Sequence, residues 1–316
     1  MNITAPLNMT VGQIPRKHAH KLLSTDGLVV NVGHFAANVR IGFARVREEF
    51  LSLYRDYPVS DADRTILNSH LHVFGRTFYR RWIRPQAYVE TLMNDHFIPL
   101  PARLGAVAAE MGLNWQIAVG CRHYLLFHAG VVSRDNKAVI MPAMSGSGKS
   151  TLSAGLAYAG WRLFSDEFGM ADLQTAELVP YPRPISLKNE AIPVMKAWVG
   201  EAERFSPEYE GTPKGTICYL RPPQDSLRHM MQPAPVKAVI FPVFDPSAKP
   251  EIRTMNRPMA FFKLVLSSAN YADIGEKAFR AIGRIVDQSI VREIVYPTLE
   301  DGVDLVNRIM DREVPE

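Results

Sequence analysis

A glycine-rich run with a lysine and two hydroxyl residues is the part of the sequence best suited to chemistry. It follows the strand-like KAVIMP, precedes the helix-like TLSAGLAYAG, and contains Ser145, Gly146, Ser147, Gly148, Lys149, Ser150 and Thr151. Glycines allow backbone N–H groups to turn toward phosphate oxygens, and the N-terminus of the helix adds the positive end of its dipole. In a Walker A loop the lysine reaches the β- and γ-phosphates and the next hydroxyl binds Mg²⁺. We therefore predict that this run binds ATP with Mg²⁺, with Ser150 on the metal.

This loop has one departure from the Walker A pattern. Ala143 stands where the first glycine is usual, which a backbone outside the left-handed region tolerates. A plain glycine-rich turn capping a helix is the alternative interpretation, but the preceding strand and following helix favour phosphate binding. No base-reading motif is visible, so the sequence does not separate ATP from GTP.

A histidine and two acidic residues end the apolar runs on either side of the loop. His128 follows YLLF, and Asp166 and Glu167 follow WRLFS. Because a strand–helix–strand unit brings the C-terminal ends of its strands to one edge, we expect the two carboxylates beside the γ-phosphate. One of them can hold Mg²⁺ and the other can accept a proton from an attacking hydroxyl. A solvated strand end is the alternative, but the position after a Walker A loop favours function.

Three basic residues lie in motif-like stretches farther along the chain, namely Arg183, Lys188 and Lys214. They could contact nucleotide phosphates or an anionic group of the acceptor, and exposed structural side chains are an equally good interpretation. We carry Lys188 and Lys214 forward as candidate nucleotide-binding residues.

Two other patterns have ordinary structural explanations. Residues 76–84 (RTFYRRWIR) mix arginines with aromatics, as single-stranded nucleic-acid sites do, but an amphipathic element with solvent-facing arginines is the better interpretation. The pairs His18–His20 and His70–His72 lack a cysteine or carboxylate at zinc spacing. We therefore expect neither a nucleic-acid partner nor a zinc site.

The elements that must position these residues change character near residue 115. The pattern predicts a polar arm over about the first 20 residues. It then predicts two strands within 27–46, a helix at 47–56, a strand at 65–75 and a helix at 104–112. From 116 onward, apolar strand-like runs surround one helix, which is typical of α/β architecture. Later candidates are strands at 216–220, 237–244 and 291–296 and helices at 273–288 and 299–312. We predict an N-terminal α+β domain over 1–115 and a P-loop domain over 116–316.

Composition restricts the class of protein. The 316 residues are 47% hydrophobic and 22% charged, which excludes a disordered chain. The net charge of +4 permits an anionic ligand without requiring nucleic acid. Two isolated cysteines, no charged start followed by an apolar core, and no long uncharged apolar stretch favour a cytoplasmic protein without a signal peptide or membrane segment.

Several stretches resemble the kinase domain of HPr kinase/phosphorylase. They are His-x-Gly at 128–130, the Ser-Gly-x-Gly-Lys-Ser loop, and Arg-Leu-x-Ser-Asp-Glu at 162–167. Over a wider range, the sequence resembles HprK-related kinase A. The matching stretches are LNW at 113–115, GWRL at 160–163, RPISLKN at 183–189, KGT at 214–216 and FP at 241–242. Genes of that group are associated with exosortase protein-sorting systems. The resemblance implies a P-loop kinase domain of the HPr kinase and PEP carboxykinase-like type.

The resemblance also assigns roles to individual residues. Asp166 resembles the catalytic aspartate that acts as general base, and His128 resembles the histidine that partners it. Lys149 is similar to the phosphate-binding and catalytic lysine, with Ser150 on Mg²⁺. Glu167 stands where the bifunctional enzymes have a second aspartate, and their glycine-rich signature loop is absent from this sequence. These departures weaken the case for phosphorolysis and for HPr as the acceptor.

Together, the motif residues and the resemblance predict an ATP-dependent kinase that transfers the γ-phosphate to a hydroxyl. The expected acceptor is a serine of a protein or peptide. The first alternative is a nucleotide-binding scaffold or slow ATPase without an acceptor, supported by Ala143 and Glu167. The second is a carboxykinase or other small-molecule kinase, which would need further metal ligands and an arginine for the acceptor. The relatives form hexamers, so we expect a homo-oligomer, and the role of residues 1–115 stays open.

Overall fold

The computed structural model describes residues 9–77, 79, 83–93, 97–142 and 148–311. The chain forms two compact units. The first unit comprises Met1–Cys121 and Glu203–Arg221, and the second comprises Arg122–Ala202 and Pro222–Glu316. The assignment of 1–115 and 116–316 to separate domains stays a prediction. The units change at Cys121, and a later segment returns to the first unit.

Helices and strands alternate along much of the described chain. The helices are α1 (Arg16–Ser24), α2 (Ala44–Leu53), α3 (Gly105–Gly120), α4 (Lys149–Tyr158), α5 (Ala191–Val199), α6 (Gln224–Arg228), α7 (Arg257–Ser267), α8 (Tyr271–Ile274), α9 (Glu276–Gln288) and α10 (Leu299–Met310). The strands are β1 (Leu28–Val32), β2 (Phe35–Ile41), β3 (Val59–Ser60), β4 (Ser69–Phe74), β5 (Gln86–Thr91), β6 (Leu100–Pro101), β7 (Tyr124–Arg134), β8 (Lys137–Pro142), β9 (Arg162–Ser165), β10 (Phe168–Asp172), β11 (Leu178–Val179), β12 (Ile185–Lys188), β13 (Tyr209–Thr212), β14 (Gly215–Leu220), β15 (Val236–Phe244), β16 (Glu251–Thr254) and β17 (Ile290–Tyr296).

The first unit is built on a sheet with strand order β3-β1-β2-β4-β5-β6. The strands β2 and β4 are parallel, and the other neighbours are antiparallel. Helix α3 packs on β4 and β5. A Cβ atom at Gly112 would lie 2.6 Å from Leu71 Cδ1 and 2.8 Å from Val89 Cγ1, so the glycine allows this helix to approach the sheet closely.

The segment Glu203–Arg221 is held to the first unit by polar contacts. Its strands β13 and β14 form an antiparallel pair. The Tyr209 hydroxyl donates to Glu49 Oε2 at 3.2 Å, and Arg221 Nη1 lies 2.9 Å from Asp56 Oδ2. Because both acceptors belong to α2 or the turn after it, these contacts explain why a late segment belongs to the early unit.

The second unit contains a mixed sheet with strand order β11-β10-β7-β8-β15-β17-β16, and β9 also pairs with β7. Strands β8, β15 and β17 are parallel, so their C-terminal ends share one edge of the sheet. Strand β7 runs antiparallel to β8, β9 and β10. The ends of β8 and β9 therefore lie at the same edge as well, on either side of β7.

Helices cover both faces of this sheet. Leu125, Phe127, Ala129 and Val131 of β7 belong to a buried cluster that includes side chains of α7 and α9. Successive strand residues point to opposite faces, and Gly130 faces α4 on the other side. The second unit is therefore a helix–sheet–helix sandwich, consistent with the predicted α/β class.

Most of the longer predicted elements are confirmed. The strands within 27–46 and 65–75 correspond to β1, β2 and β4, and the later predictions correspond to β14, β15, β17, α9 and α10. The predicted strand character from 116 is wrong at its start, because α3 continues to Gly120. The predicted polar arm is wrong from Arg16, where α1 begins and buries Ala19 and Leu23. No helix within the described ranges combines the length and apolar character that a membrane crossing requires.

Candidate active site

The candidate site forms at the edge where β8 and β9 end beside β7. His128 lies opposite Phe168, and the next residue of β7, Ala129, lies opposite Pro142 at the end of β8. The predicted Asp-Glu pair directly precedes Phe168. The register alone therefore brings the histidine, the acidic pair and the strand before the glycine-rich loop to one edge.

Asp166 is a buried carboxyl group with a backbone hydrogen bond. Its exposure is 4%, and its Oδ2 accepts a hydrogen bond from the Ser186 N–H at 3.1 Å. Burial, followed by the charge of Glu167, raises the pKa of Asp166 to about 7. The Ser186 hydrogen bond and the positive charges of Lys149 and Arg183 act in the opposite direction. A carboxyl group with this pKa can take up and release a proton near neutral pH.

A serine-centred turn separates the two neighbouring carboxylates. The buried Ser165 Oγ accepts hydrogen bonds from the backbone N–H groups of Glu167 at 3.2 Å and Phe168 at 2.9 Å. Asp166 is buried on this turn, whereas the Glu167 side chain is 30% exposed. The two carboxylates therefore occupy different environments, as two groups with different roles require.

His128 lies beside the more exposed carboxylate. Its Nδ1 is 3.7 Å from Glu167 Oε1, and Glu167 is the carboxylate within ion-pair distance of this ring among the residues that the structure describes. Burial, followed by the charge of Lys149, lowers the pKa of His128, while Glu167 opposes the shift. The site therefore favours the neutral imidazole at physiological pH. The partnership of His128 with Asp166 that the resemblance implies stays a prediction.

The first turn of α4 supplies the lysine and the hydroxyls. Gly148 precedes the helix with φ of +81°, and a Cβ there would lie 2.8 Å from the Tyr296 hydroxyl. This position therefore requires glycine. Lys149 is buried at 6% exposure, and Ser150 and Thr151 are partly buried. The predicted loop residues Ser145, Gly146 and Ser147, with Ala143, lie outside the described residues.

Close packing fixes α4 against β7. A Cβ at Gly130 would lie 2.1 Å from Ser153 Oγ and 3.2 Å from Lys149 Cγ. The glycine of the His-x-Gly motif thus leaves room for the helix that carries Lys149. This contact explains the spacing between the His-x-Gly motif and Lys149, because β7 and α4 touch at Gly130.

The predicted basic residues are distributed over both units. Lys188 ends β12 in the second unit, and its charge contributes to lowering the pKa of His128. Lys214 lies between β13 and β14 in the first unit. The structure of the second unit thus brings together His128, Lys149, Asp166, Glu167 and Lys188, while Lys214 belongs to the other unit.

Two groups near Asp166 have no recognisable sequence signal. The Ser186 donor is a backbone N–H, which any residue except proline provides. Ser165 acts through a local turn that many serines could form. Arg183, buried at 5% exposure, was visible as part of RPISLKN, but the sequence did not indicate that its charge would act on Asp166.

The residues present are compatible with Mg²⁺ and a triphosphate. Within the described ranges, no three His, Cys, Asp or Glu side chains form a metal-binding group. Mg²⁺ bound with a nucleotide takes one or two protein ligands and otherwise phosphate and water oxygens. The Glu167 carboxylate and the Ser150 hydroxyl meet that requirement, and the glycine at the start of α4 leaves the helix N-terminus free of a side chain.

Comparison with known proteins gives likenesses to solved structures. No family model matches the chain, and no curated protein matches it at a significant level. The structure of the Hpr(Ser) kinase/phosphatase from Coxiella burnetii matches 60% of this chain and 99% of its own, with 15% sequence identity and a TM-score of 0.27. This TM-score is too low to carry an argument about the fold or activity of the present chain.

Proposed function

We propose that the protein is an ATP-dependent kinase that transfers the γ-phosphate to a hydroxyl group. The observation that carries this proposal is Asp166, a buried carboxyl group with a pKa of about 7 at the edge where α4 begins with Lys149. Phosphoryl transfer needs positioning, charge neutralisation and a base for the acceptor hydroxyl. The second unit offers a residue type for each of these requirements.

In the proposed reaction, ionised Asp166 accepts the proton of the acceptor hydroxyl as the oxygen attacks the γ-phosphorus. The bond between the γ-phosphorus and the β–γ bridging oxygen breaks, and ADP leaves. Lys149 and the backbone N–H groups at the start of α4 stabilise the negative charge on the phosphate oxygens. Ser150 and Glu167 would hold Mg²⁺, which neutralises phosphate charge when bound.

His128 has a positioning role in this proposal. A neutral imidazole 3.7 Å from the Glu167 carboxylate can hold that carboxylate in place without adding a positive charge beside Lys149. Lys188 adds a cation near His128 that could contact a phosphate. Lys214, Thr151 and the loop residues Ser145, Gly146 and Ser147 stay in the proposal as nucleotide-binding candidates from the sequence.

The finer identity of the activity rests on the sequence resemblance alone. This applies to a serine of a protein or peptide as acceptor, to membership of the HprK-related kinase A group, and to a homo-oligomer. The same is true of the P-loop domain type and of the choice of ATP as the nucleotide. The proposed cytoplasmic location rests instead on the two isolated cysteines.

The deciding experiment is transfer of label from γ-labelled ATP with Mg²⁺ into a lysate of the source cells. Wild type, Asp166→Asn and the control Asp304→Asn, an exposed carboxylate on α10, are compared, and protein, peptide and small-molecule fractions are counted separately. Label that disappears with Asp166→Asn and persists with Asp304→Asn supports the kinase. Intact nucleotide binding with no transfer by any protein would instead favour the nucleotide-binding scaffold.

A further inference from the structure

A strongly basic cavity of about 420 Å³ lies in the second unit, away from Asp166. Its wall is formed by the residues before β7, the turn after β10 and one side of α9. The charged or titratable side chains lining it are Arg122, His123, Asp172, Lys277, Arg280 and Arg284. Four cations and one carboxylate give 4 − 1 = +3 with the histidine neutral. His123 and His128 are about 17 Å apart along an extended chain. Strand β10 pairs with this stretch of β7, so the candidate active site lies before the first residue of β10 and the cavity lies at its other end.

One side of α9 supplies three of the four cations. Lys277, Arg280 and Arg284 are spaced i, i+3 and i+7, which places them on one side of the helix over roughly 10 Å. The neighbouring side buries Ala281 and Ile285 in the core, so the cations cannot separate by rotation of the helix. Like charges at this spacing destabilise a helix, and a bound polyanion would relieve that repulsion.

The acidic groups near the cavity leave much of this charge available. Asp172 Oδ1 accepts hydrogen bonds from the N–H groups of Gln174 and Thr175, both at 2.8 Å, and so serves the turn. Arg122 lies 3.0 Å from Asp273, and Arg280 lies 2.5 Å from Glu276. Both pairs are largely exposed, and such pairs contribute little to stability, so a multivalent anion can compete for their arginines.

The remaining basic side chains differ in whether they form a hydrogen bond within the protein. Arg284 donates to the Gln174 carbonyl, which holds its guanidinium at the rim of the cavity. Lys277 and His123 form no hydrogen bond or ion pair within the described part of the chain. An ordered guanidinium next to an uncompensated ammonium suits recognition of more than one anionic group.

We propose that this cavity binds a small polyanion that carries at least two phosphate or carboxylate groups. Its volume falls in the range of about 300–1,000 Å³ that is typical of small-molecule sites. Its concave wall is formed by three chain segments, two of which carry the cations, and this shape suits a compact ligand better than a nucleic-acid backbone. None of its lining residues belongs to the proposed kinase site, so this inference does not depend on the proposed activity.

Calorimetric titration of the full chain tests the proposal, with inorganic tripolyphosphate and citrate as separate probes. The titrations use a Lys149→Ala background, because tripolyphosphate would otherwise also bind at the start of α4. Arg280→Ala/Arg284→Ala should weaken binding of either probe at least tenfold, the loss expected when a charge-assisted hydrogen bond is removed. The matched control Arg228→Ala/Arg308→Ala removes two exposed arginines of the same unit that do not line the cavity.

A tenfold loss confined to the cavity variant supports the proposal. Binding of neither probe, an unchanged affinity in the cavity variant, or an equal loss in the control would overturn it. Circular dichroism verifies that each variant is folded. If the double variant does not fold, Lys277→Gln replaces it, because this exposed side chain forms no hydrogen bond or ion pair with other described residues.

Discussion

Charged residues lie at both ends of β10, but they differ in burial. At one end Asp166 is enclosed, next to Glu167 and within the electrostatic influence of Lys149. At the other end the cations Lys277, Arg280 and Arg284 are exposed around an open cavity. Strand β10 therefore has a buried acid–base group at one end and a solvated charge cluster at the other.

This difference indicates that burial, and not the number of charges, decides what each end can do. Removal from water raises the pKa of Asp166 to about 7, which makes proton transfer feasible at neutral pH. Exposed ammonium and guanidinium groups keep their charge and can attract an anion without exchanging protons. Proton-transfer chemistry is expected at the first end and anion binding at the second.

The largest expected effect is the loss of phosphoryl transfer in Asp166→Asn. The amide cannot accept the hydroxyl proton, and removal of a general base lowers the rate by roughly 10²–10⁴-fold. Binding of Mg-ATP, measured by calorimetry, should persist because Lys149 and α4 are unchanged. A rate within threefold of wild type would remove Asp166 from the mechanism.

The same substitution should increase the stability of the folded protein, by an amount that depends on pH. The unfolded chain releases this proton near the ordinary value of 3.8, whereas the folded chain retains it up to about 7. The folded state binds more protons between these values, so wild-type stability falls as the pH rises through this window. Asp166→Asn does not titrate and should be more stable than wild type at pH 8, by at most about 4 kcal/mol.

Urea unfolding at pH 8 and pH 4 measures this difference. The gain should be large at pH 8 and should fall below about 1 kcal/mol at pH 4, where Asp166 is protonated in the folded state and partly protonated in the unfolded state. Asp304→Asn should show no such pH-dependent gain. Equal stability of wild type and Asp166→Asn at pH 8 would show that the buried carboxyl carries no ionisation cost.

The sequence predicted which residues lie at the edge of the candidate site, but it did not predict that Asp166 and Glu167 differ in burial. The apolar runs before His128 and Asp166 and the glycine loop between them indicate strand ends at one edge, and the observed register agrees. Asp166 is buried and accepts a hydrogen bond from Ser186, a residue of another strand, and local sequence does not encode that contact. Both acidic residues therefore look alike in the sequence.

Other features escaped prediction because they depend on distant parts of the chain. The apolar run at 117–120 suits either a helix or a strand, and packing of α3 on β4 and β5 favours the helix. The basic cavity joins Arg122 and His123 to cations of α9 that are far away in the sequence. Likewise, the contact of Arg221 with Asp56 links the late segment to the first unit.

A packing change at Gly130 should disturb the candidate active site and leave the basic cavity unchanged. In Gly130→Ala the new Cβ would lie 2.1 Å from Ser153 Oγ, so α4 must shift, at a cost of about 1–3 kcal/mol. Thermal unfolding measures the loss. Adding Ser153→Ala should restore part of it, since the nearest remaining atom of that side chain, Cβ, is 3.4 Å away. Tripolyphosphate binding at the cavity should be unchanged, and a loss there would show that the two ends are coupled.

The smallest expected effect is a slight gain in stability when the basic cavity loses one cation. Lys277 lines the cavity with three arginines, and Lys277→Gln should relieve like-charge repulsion worth about 0.2–0.5 kcal/mol. Urea midpoints at low salt should show the gain, and 1 M salt should abolish it because the screening length then falls to about 3 Å. Lys249→Gln, an exposed lysine that does not line the cavity, should give no gain. If Lys277→Gln instead lowers stability at low salt, the charge of Lys277 stabilises the folded protein without any bound anion. The presence of these cations would then not indicate an anionic ligand.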